Sequence, residues 1–204
     1  MKQVHLAGIA AQPWRNGGGV THELLAWPDA QGWLLRVSVA DINQAGPFSA
    51  FDGIHRWFAV IDGAGVVLGL PAGDVAVGPD DAPLHFDGEA APGCRLISGP
   101  TQDLNLMARR AGDGDGDGDG DGDGVGVGVG VGVGEAGMHR AAAASTLDGD
   151  YRWRAIYTAD PVRVDCDGVA QLLPAGTLLW SDTPDASVWT LLDPGRAWWL
   201  TLSA

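Results

Sequence analysis

The amino-acid sequence predicts an all-β protein, built as a sandwich or a barrel-like jelly roll. Segments that alternate apolar and polar residues, as β-strands do, recur along most of the chain. Turn sequences such as Asp62-Gly63 and Asp167-Gly168 separate them about every 8–12 residues. Helical periodicity is weak, and the one candidate helix is 140–146. Many short strands joined by tight turns are typical of an antiparallel β fold.

Two of the predicted strands have strongly different faces. In the strand 33–40 the odd-numbered positions are all apolar, whereas the even-numbered face carries Arg36 and Ser38. In the strand 103–109 Leu104 and Leu106 lie on one face. The opposite face of that strand carries Asp103, Asn105, Met107 and Arg109. The remaining predicted strands are 21–26, 57–61, 65–70, 84–87, 94–98, 151–157, 162–166, 169–173, 177–181, 187–192 and 197–202.

A low-complexity repeat divides the chain. Residues 112–134 alternate Asp with Gly and then Val with Gly, so they offer no side chains from which a core could form. We therefore predict one domain, 1–204, made of two β-lobes (1–111 and 138–204) with a flexible Gly-rich insert at 112–134. The sequence Leu-Pro-Ala-Gly occurs once in each lobe, at 70–73 and 173–176, which suggests that the lobes are related.

The charge balance excludes several classes of partner. The chain has 26 acidic and 12 basic side chains and a formal charge of −14, to which the repeat contributes six aspartates. A body this acidic is a poor partner for nucleic acid or an anionic membrane. The N-terminal segment lacks the sustained apolar stretch of a secretory signal, and no apolar run approaches the ~20 residues of a membrane span. We expect a soluble, cytoplasmic protein.

Histidine and cysteine spacing argues against a metal centre. The five histidines form no HxH or HxxxH pair, which a metal site in a β-barrel would need. The period-two repeat supplies neither the nine-residue spacing of calcium-binding β-rolls nor the terminal Glu of an EF-hand. Cys94 and Cys166 lie in no CxxC or CxxH pattern, so we expect both to be small buried apolar side chains. The sequence predicts no bound metal and no cofactor.

The strongest candidate for chemistry is the glycine-rich segment 13–23. Three consecutive glycines, 17–19, allow close backbone approach, so their N–H groups are candidates for an anion site. An ordinary glycine-rich turn before a strand is the alternative. The flanking polar residues are Arg15, Asn16, Thr21 and Glu23.

Two further segments add polar groups. In 46–57 tight turns surround Phe48 and Phe51, and Arg56 begins an apolar strand. Arg56 is either a solvated strand end or an inward-facing anion clamp. The polar face of 103–109 lies either in water or, in a closed barrel, toward a ligand or internal partners.

Four motifs occur in order along the chain. They are Pro-Trp-Arg-Asn-Gly-Gly-Gly-x-Thr-x-Glu at 13–23, Trp-x-x-Arg-x-Ser-x-Ala at 33–40, Gly-Pro-Phe-Ser-x-Phe-x-Gly-x-x-Arg at 46–56 and Asp-Leu-Asn-Leu-Met-x-Arg at 103–109. Together they closely resemble the HutD/Ves family, over 10–110 strongly and over 150–204 loosely. Asp52, where the family commonly has Pro, and the repeat itself depart from the pattern.

The resemblance implies a cupin-like, two-lobed β-barrel (a double-stranded β-helix of bicupin type) without the usual cupin metal ligands. It also implies an association with bacterial histidine utilisation. Members of the family are thought to bind a small pathway acid, such as urocanate or formylglutamate, and to restrain pathway activity.

The residues at matched motif positions form the predicted ligand-binding set. In this interpretation Arg36 holds a carboxylate, Glu23 accepts an N–H, and Trp14 and Phe48 stack on a flat group of the ligand. The polar side chains at 21, 38 and 105 orient the remainder. The full set is Trp14, Asn16, Gly17, Gly18, Thr21, Glu23, Arg36, Ser38, Phe48, Ser49, Arg56, Asn105, Met107 and Arg109.

We expect a non-enzymatic, metal-independent binding protein for a small carboxylate that modulates histidine utilisation. One alternative is a metal-free enzyme, an isomerase, hydrolase or lyase, that acts on a small organic acid with Glu23 as general base. A second alternative is a structural or protein-interaction module in which Arg36 pairs internally with Glu23. A homodimer is a possible assembly.

Overall fold

The computed structural model of the chain describes residues 1–110 and 134–204. The predicted insert at 112–134 lies outside the described residues, except for Gly134. The first half contains the strands β1 (Lys2–His5), β2 (Gln12–Pro13), β3 (Gly19–Trp27), β4 (Leu35–Ile42), β5 (Gly46–Pro47), β6 (Ile54–Asp62), β7 (Val66–Leu70), β8 (Gly73–Val77), β9 (Leu84–Asp87), β10 (Gly93–Leu96) and β11 (Thr101–Arg109).

The second half contains the strands β12 (Ala136–Ala141), β13 (Thr146–Leu147), β14 (Tyr151–Thr158), β15 (Val162–Cys166), β16 (Val169–Leu173), β17 (Thr177–Ser181), β18 (Trp189–Leu191) and β19 (Ala197–Ser203). Two short 3-10 helices, Leu6–Gly8 and Gly88–Ala90, are the helical elements of the described residues. The prediction of an all-β protein is confirmed. Among residues 1–110 and 134–204, no helix is long and apolar enough to cross a membrane.

The strands form four sheets whose order repeats between the two halves. The first half has the orders β2-β3-β4-β11-β6-β9 and β5-β10-β7-β8. The second half has the orders β1-β17-β14-β19-β12 and β13-β18-β15-β16. The order β4-β11-β6-β9 of the first half corresponds to β12-β19-β14-β17 of the second, with each strand eight places later in the chain. In the same way β5-β10-β7-β8 corresponds to β13-β18-β15-β16. Each lobe is therefore one eight-stranded jelly roll, with β2 and β3 added to the first lobe and β1 to the second.

The N-terminal strand joins the sheet of the other half. Lys2–His5 pairs antiparallel with Thr177–Ser181, so the first residues of the chain lie in the second lobe. The four sheets are separate hydrogen-bonded units, and each lobe is a pair of facing sheets rather than a continuously closed barrel.

The Leu-Pro-Ala-Gly sequences do not mark equivalent turns. The copy at 70–73 joins β7 to β8, which pair as a hairpin. The copy at 173–176 joins β16 to β17, which belong to different sheets. The counterpart of the β7–β8 turn is Asp167-Gly168, where both residues have positive φ. The two lobes share a strand order, but this short sequence repeat is a coincidence.

Three apolar cores lie between the four sheet layers. The central core contains Leu35 and Leu104 from the large sheet of the first lobe and Trp153 and Trp198 from that of the second. A second core lies inside the first lobe and a third inside the second lobe. Trp198 and its neighbour Trp199 lie in different cores, because β19 is covered on both faces.

The helix predicted at 140–146 is wrong. Residues up to Ala141 belong to β12, which pairs along its whole length with β19. The chain then turns, with Ser145 N–H donating to the carbonyl of Ala142 at 2.9 Å, and enters β13. The alanine-rich sequence has helical propensity, but pairing with a buried strand overrides that weak preference.

Candidate functional site

The first lobe contains a cavity of about 680 Å³ on the face of its large sheet that is turned away from the central core. We call it the first-lobe cavity. Its walls come from β2 and the loop that follows it, from β3 and β4, from the segment 47–51, and from β6 and β11. A cavity of this size is in the range of small-molecule sites.

Most of the predicted ligand-binding residues line the first-lobe cavity. They come from four separate motifs and meet only in the folded chain. The lining members are Trp14, Asn16, Thr21, Arg36, Ser38, Phe48, Ser49, Arg56, Asn105 and Met107. The predicted residues that do not line it are Gly17, Gly18, Glu23 and Arg109. Lining residues outside the predicted set are Gln12, Pro13, Arg15, Ala40, Pro47, Phe51 and Asp103.

Strand alternation explains why charged side chains enter the lobe. Met107 on β11 lies opposite Arg36 on β4 and opposite Arg56 on β6, so these three share one face of the sheet. Cβ atoms in register across neighbouring strands point to the same side. The intervening residues, such as Val37 and Leu106, point to the central core and are fully buried. The face assignment predicted for 33–40 is confirmed.

Arg56 lies at the buried end of the cavity and is only 4% exposed. Its Nη2 donates to Asn105 Oδ1 at 2.8 Å, whereas its Nε and Nη1 are buried without a partner. Phe48, Phe51 and Phe86 surround the guanidinium with ring centroids 5.1–5.6 Å away. Desolvation lowers the pKa of Arg56 to about 10, although Asp103 opposes the shift. Arg56 therefore points inward and carries a positive charge with two unused donors.

Asp103 lies beside Arg56 in the cavity wall and is 1% exposed. One carboxyl oxygen, Oδ2, accepts from Asn105 Nδ2, and the other, Oδ1, is buried without a partner. Burial raises the pKa of Asp103 to about 8, against the attraction of Arg56 and with a smaller contribution from Asp41. Asp103 was absent from the predicted set, although alternation in 103–109 placed it on the face of Asn105.

Arg36 points into the cavity but is already partnered. Its Nε donates to Glu23 Oε2 at 2.6 Å, and the two side chains are 19% and 29% exposed. Glu23 lies opposite Ser38 of β4, so Arg36, two residues away on that strand, is its diagonal neighbour. Glu23 is therefore held by Arg36 and does not line the cavity, where the enzyme hypothesis needed a general base. The internal pair of the module hypothesis exists, and a cavity lies next to it.

The glycine-rich loop supplies shape and not anion-binding N–H groups. Gly17 N–H donates to the carbonyl of Trp14 and Gly18 N–H to Asn16 Oδ1, each at 3.0 Å. The φ of +72° at Gly17 allows the turn. At Gly19 a Cβ would collide with the carbonyl oxygen of Asp41. The hypothesis that the N–H groups of Gly17 and Gly18 bind an anion is corrected: both serve the loop itself.

The loop brings an aromatic wall to the cavity. Trp14 Nε1 donates to Thr21 Oγ1 at 2.8 Å, which fixes the indole ring. The ring meets Phe48 edge to face, with centroids 6.1 Å apart. Trp14 and Phe48 thus line the cavity as two nearly perpendicular rings. Stacking of a ligand on either ring stays a prediction.

Arg109 lies outside the first-lobe cavity. Its Nε donates to the carbonyl of Trp33 at 3.0 Å, and it lines a smaller cavity of about 290 Å³ together with His55, His85 and Glu135. In the described part of the chain, no three His, Cys, Asp or Glu side chains come together as a metal site would require. The polar and aromatic groups that line the first-lobe cavity are arginines, the carboxyl group of Asp103, amides, hydroxyls and aromatic rings.

Solved structures define the class of protein. The fold is similar to that of a cupin 2 conserved barrel domain protein from Leptotrichia buccalis (TM-score 0.55, 9% identity, covering 100% of this chain and 96% of that one). It is also similar to Ylba from Escherichia coli (TM-score 0.67, 11% identity, 99% and 90% covered). The doubled jelly roll with its internal cavity is a cupin-like fold.

The particular family follows from the sequence. The family model described as HutD matches residues 7–113, and this chain belongs to the HutD family. An uncharacterized 21.2 kDa protein in the hutC 3′ region of Pseudomonas putida is 39% identical over 102 residues, which cover 47% of this chain and 51% of that protein. Protein Ves of Citrobacter koseri is 33% identical over 99 residues, covering 48% and 52%. The matched segment thus spans about half the length of these curated relatives.

The likeness in fold extends over the whole chain. HutD from Pseudomonas fluorescens SBW25, solved in a formate condition, has a TM-score of 0.78 and 24% identity, with 99% of this chain and 97% of that one covered. A conserved protein of unknown function from Pseudomonas aeruginosa PAO1 gives a TM-score of 0.79 at 20% identity, with 100% and 98% covered. The motif-bearing first half carries the family match, and the shared fold includes both lobes.

Proposed function

We propose that this protein binds a small organic carboxylate in the first-lobe cavity, without a metal, and thereby modulates histidine utilisation. The observation that carries the proposal is Arg56, a buried guanidinium with Nε and Nη1 unpartnered in a cavity wall. Leaving such donors without a partner is costly, so the site favours a ligand that accepts from both. A carboxylate does so through two parallel charge-assisted hydrogen bonds.

The charge of the cavity supports an anion. The protein is strongly acidic as a whole, yet no ionised side chain among residues 1–110 and 134–204 forms a hydrogen bond with Arg56. Glu23 already neutralises Arg36. Asp103, with its pKa raised to about 8 by burial, is mostly protonated at neutral pH. The buried end of the cavity therefore has a net positive charge, which an anionic ligand would balance.

The walls limit the ligand to a small, partly flat acid. Trp14 and Phe48 present apolar surface, whereas Ser38 and Thr21 offer hydroxyls. Urocanate, with a planar imidazole and one carboxylate, and formylglutamate, with two carboxylates, fit this description. Membership of the HutD family favours acids of this kind.

Calorimetric titration of urocanate and of N-formylglutamate tests the proposal. We expect saturable binding of at least one acid without turnover, and Arg56→Met should weaken it at least about 30-fold, since two charge-assisted hydrogen bonds are lost. The matched control is Arg163→Met, because Arg163 is an exposed arginine of the second lobe. If neither acid binds at millimolar concentration, or if Arg56→Met binds like the control, the proposal is wrong.

A further inference from the structure

A linear hydrogen-bonded chain of three side chains ends at an unused oxygen in the first-lobe cavity. Arg56 Nη2 donates to Asn105 Oδ1 at 2.8 Å, and Asn105 Nδ2 donates to Asp103 Oδ2. Asp103 Oδ1 has no partner and is buried, as are Nε and Nη1 of Arg56. Two guanidinium nitrogens and one carboxyl oxygen, all in residues that line the cavity, are therefore buried without a partner among the described residues.

The chain determines which oxygen of Asp103 can carry a proton. Arg56 has only donors, so Asn105 must turn its carbonyl oxygen toward Arg56 and its NH₂ toward Asp103. Asp103 Oδ2 then accepts and cannot donate along the same line. This contact favours the neutral acid with its proton on Oδ1, because the carbonyl oxygen of a carboxylic acid is a stronger acceptor than its hydroxyl oxygen. Neutral Asp103 thus has an O–H group with no acceptor among the described residues.

The surroundings of Asp103 favour the neutral acid. On β6 Arg56 favours ionisation, but less than burial opposes it. On β4 Asp41 disfavours ionisation, and Arg36 on the same strand is paired with Glu23 of β3. On β10 the thiol of Cys94 is itself kept neutral by burial, with its pKa raised to about 12. The resulting pKa of Asp103, about 8, means that the acid is mostly protonated at pH 7.

We propose that Asp103 is a specificity-determining residue that, as a neutral acid, donates its Oδ1–H to an anionic oxygen of the ligand that Arg56 binds. This inference rests on the proposed carboxylate-binding function. Arg56 and Asp103 then contact the ligand only through hydrogen-bond donors. The carboxylate binds to the form of the protein in which Asp103 carries its proton. Ionised Asp103 would instead place a carboxylate against a carboxylate, with no proton between them.

The test is the pH dependence of the affinity for N-formylglutamate, whose carboxylates stay ionised well above pH 5. For wild type, calorimetry should give a dissociation constant about tenfold higher at pH 9 than at pH 7, because the competent protonated form becomes rare. Asp103→Asn carries a permanent NH₂ donor and should bind at pH 7 within about threefold of wild type, with no change up to pH 9. Asp103→Leu has the same branching at Cγ but no donor, so it should be insensitive to pH and bind at least about tenfold more weakly than Asp103→Asn.

Each outcome supports or overturns the inference. A wild-type dissociation constant that does not change between pH 7 and pH 9 overturns the inference. A dissociation constant of Asp103→Asn that rises with pH as it does in wild type overturns it too. Equal affinities of Asp103→Asn and Asp103→Leu would show that a donor at position 103 adds nothing to binding. Asp103 would then affect the ligand only by charge repulsion when ionised, and its role as a donor would be overturned. Failure of N-formylglutamate and urocanate to bind at any pH would refute the proposed function itself. Circular dichroism on each variant shows whether the fold is retained.

Discussion

The two lobes share a strand order but use a buried arginine in opposite ways. Arg56 on β6 and Arg154 on β14 lie on equivalent strands of the repeat, facing the interior of their own lobe. Arg154 is 0% exposed, and its guanidinium donates to the carbonyls of Ser187 and Asp185. Arg56 lacks such a loop and keeps two donors unpartnered. The second lobe engages both terminal nitrogens of its arginine, through the two carbonyls and the carboxylate of Asp185 at 3.1 Å, and only Nε is buried without a partner among the described residues. In the first lobe both Nε and Nη1 of the arginine lack one.

The neighbouring positions show the same contrast. In the first lobe, Asn105 on β11 lies opposite Phe58. At the matching places of the second lobe, Trp199 on β19 lies opposite Ile156, and both are buried in the core of that lobe. Large apolar side chains therefore fill the middle of this sheet in the second lobe, whereas in the first lobe Asn105 lines a cavity there.

Removing a large side chain from the core of the second lobe should have the largest effect on stability. We expect Trp199→Ala to lower the free energy of unfolding by about 4 kcal/mol, since a buried indole packs in the core and donates from Nε1 to Ser145 Oγ. Urea unfolding followed by fluorescence measures the change. A loss below 1 kcal/mol would show that the second lobe is loosely packed, and the contrast between the lobes would fail.

Replacing each of the two buried arginines by Met should show which of them stabilises the fold. Arg154→Met should cost about 3 kcal/mol of stability, because buried carbonyls lose their donors. Arg56→Met should change stability by less than about 1 kcal/mol, since the lost hydrogen bond to Asn105 is offset by removal of a desolvated charge. Thermal unfolding of the two variants decides this. Equal losses would mean that Arg56 is structural.

The pH dependence of stability should differ between wild type and Asp103→Asn. The folded-state pKa of Asp103, about 8, lies above its unfolded value, so the folded chain binds the extra proton. This contribution is complete below about pH 4, declines as the pH rises to about 8, and is then constant. Asp103→Asn should therefore gain stability relative to wild type between pH 5 and pH 8, by at most about 1.4 kcal/mol per pH unit. If the free energies of unfolding of wild type and Asp103→Asn changed in parallel with pH, Asp103 would not be a buried, protonated acid.

The smallest expected effect concerns Glu23. Glu23→Gln removes the charge that neutralises Arg36, so binding of an anion should become about two- to fivefold tighter. Both side chains are partly exposed, which keeps the effect small. Calorimetry with the same acid measures it. A complete loss of ligand binding in Glu23→Gln would instead assign Glu23 a direct role at the ligand.

Much of the fold follows from the sequence because its strands alternate cleanly. The strand 84–87 and the strands 162–166, 169–173 and 177–181 have the predicted bounds. The two-residue strands β2, β5 and β13 were missed, since a pair of residues has no period. The strand β12 was missed because its pairing with β19 is a long-range property.

The site could be predicted in part, because four sequence motifs converge on one cavity. Arg109 was misplaced, since it bonds to the carbonyl of Trp33, a residue 76 positions away, and no local pattern contains that contact. The roles of Arg56 and Asp103 depend on which of their atoms lack partners, and only three-dimensional packing determines this. A sequence can show which side chains share a face but not which donors stay unused.

A crystal structure of the protein soaked with N-formylglutamate tests the central claim most directly. We expect a carboxylate of the ligand within about 3 Å of Nε and Nη1 of Arg56, with the rest of the molecule between Trp14 and Ser38. An empty first-lobe cavity at saturating ligand, or a ligand that leaves both nitrogens unpartnered, would contradict the account.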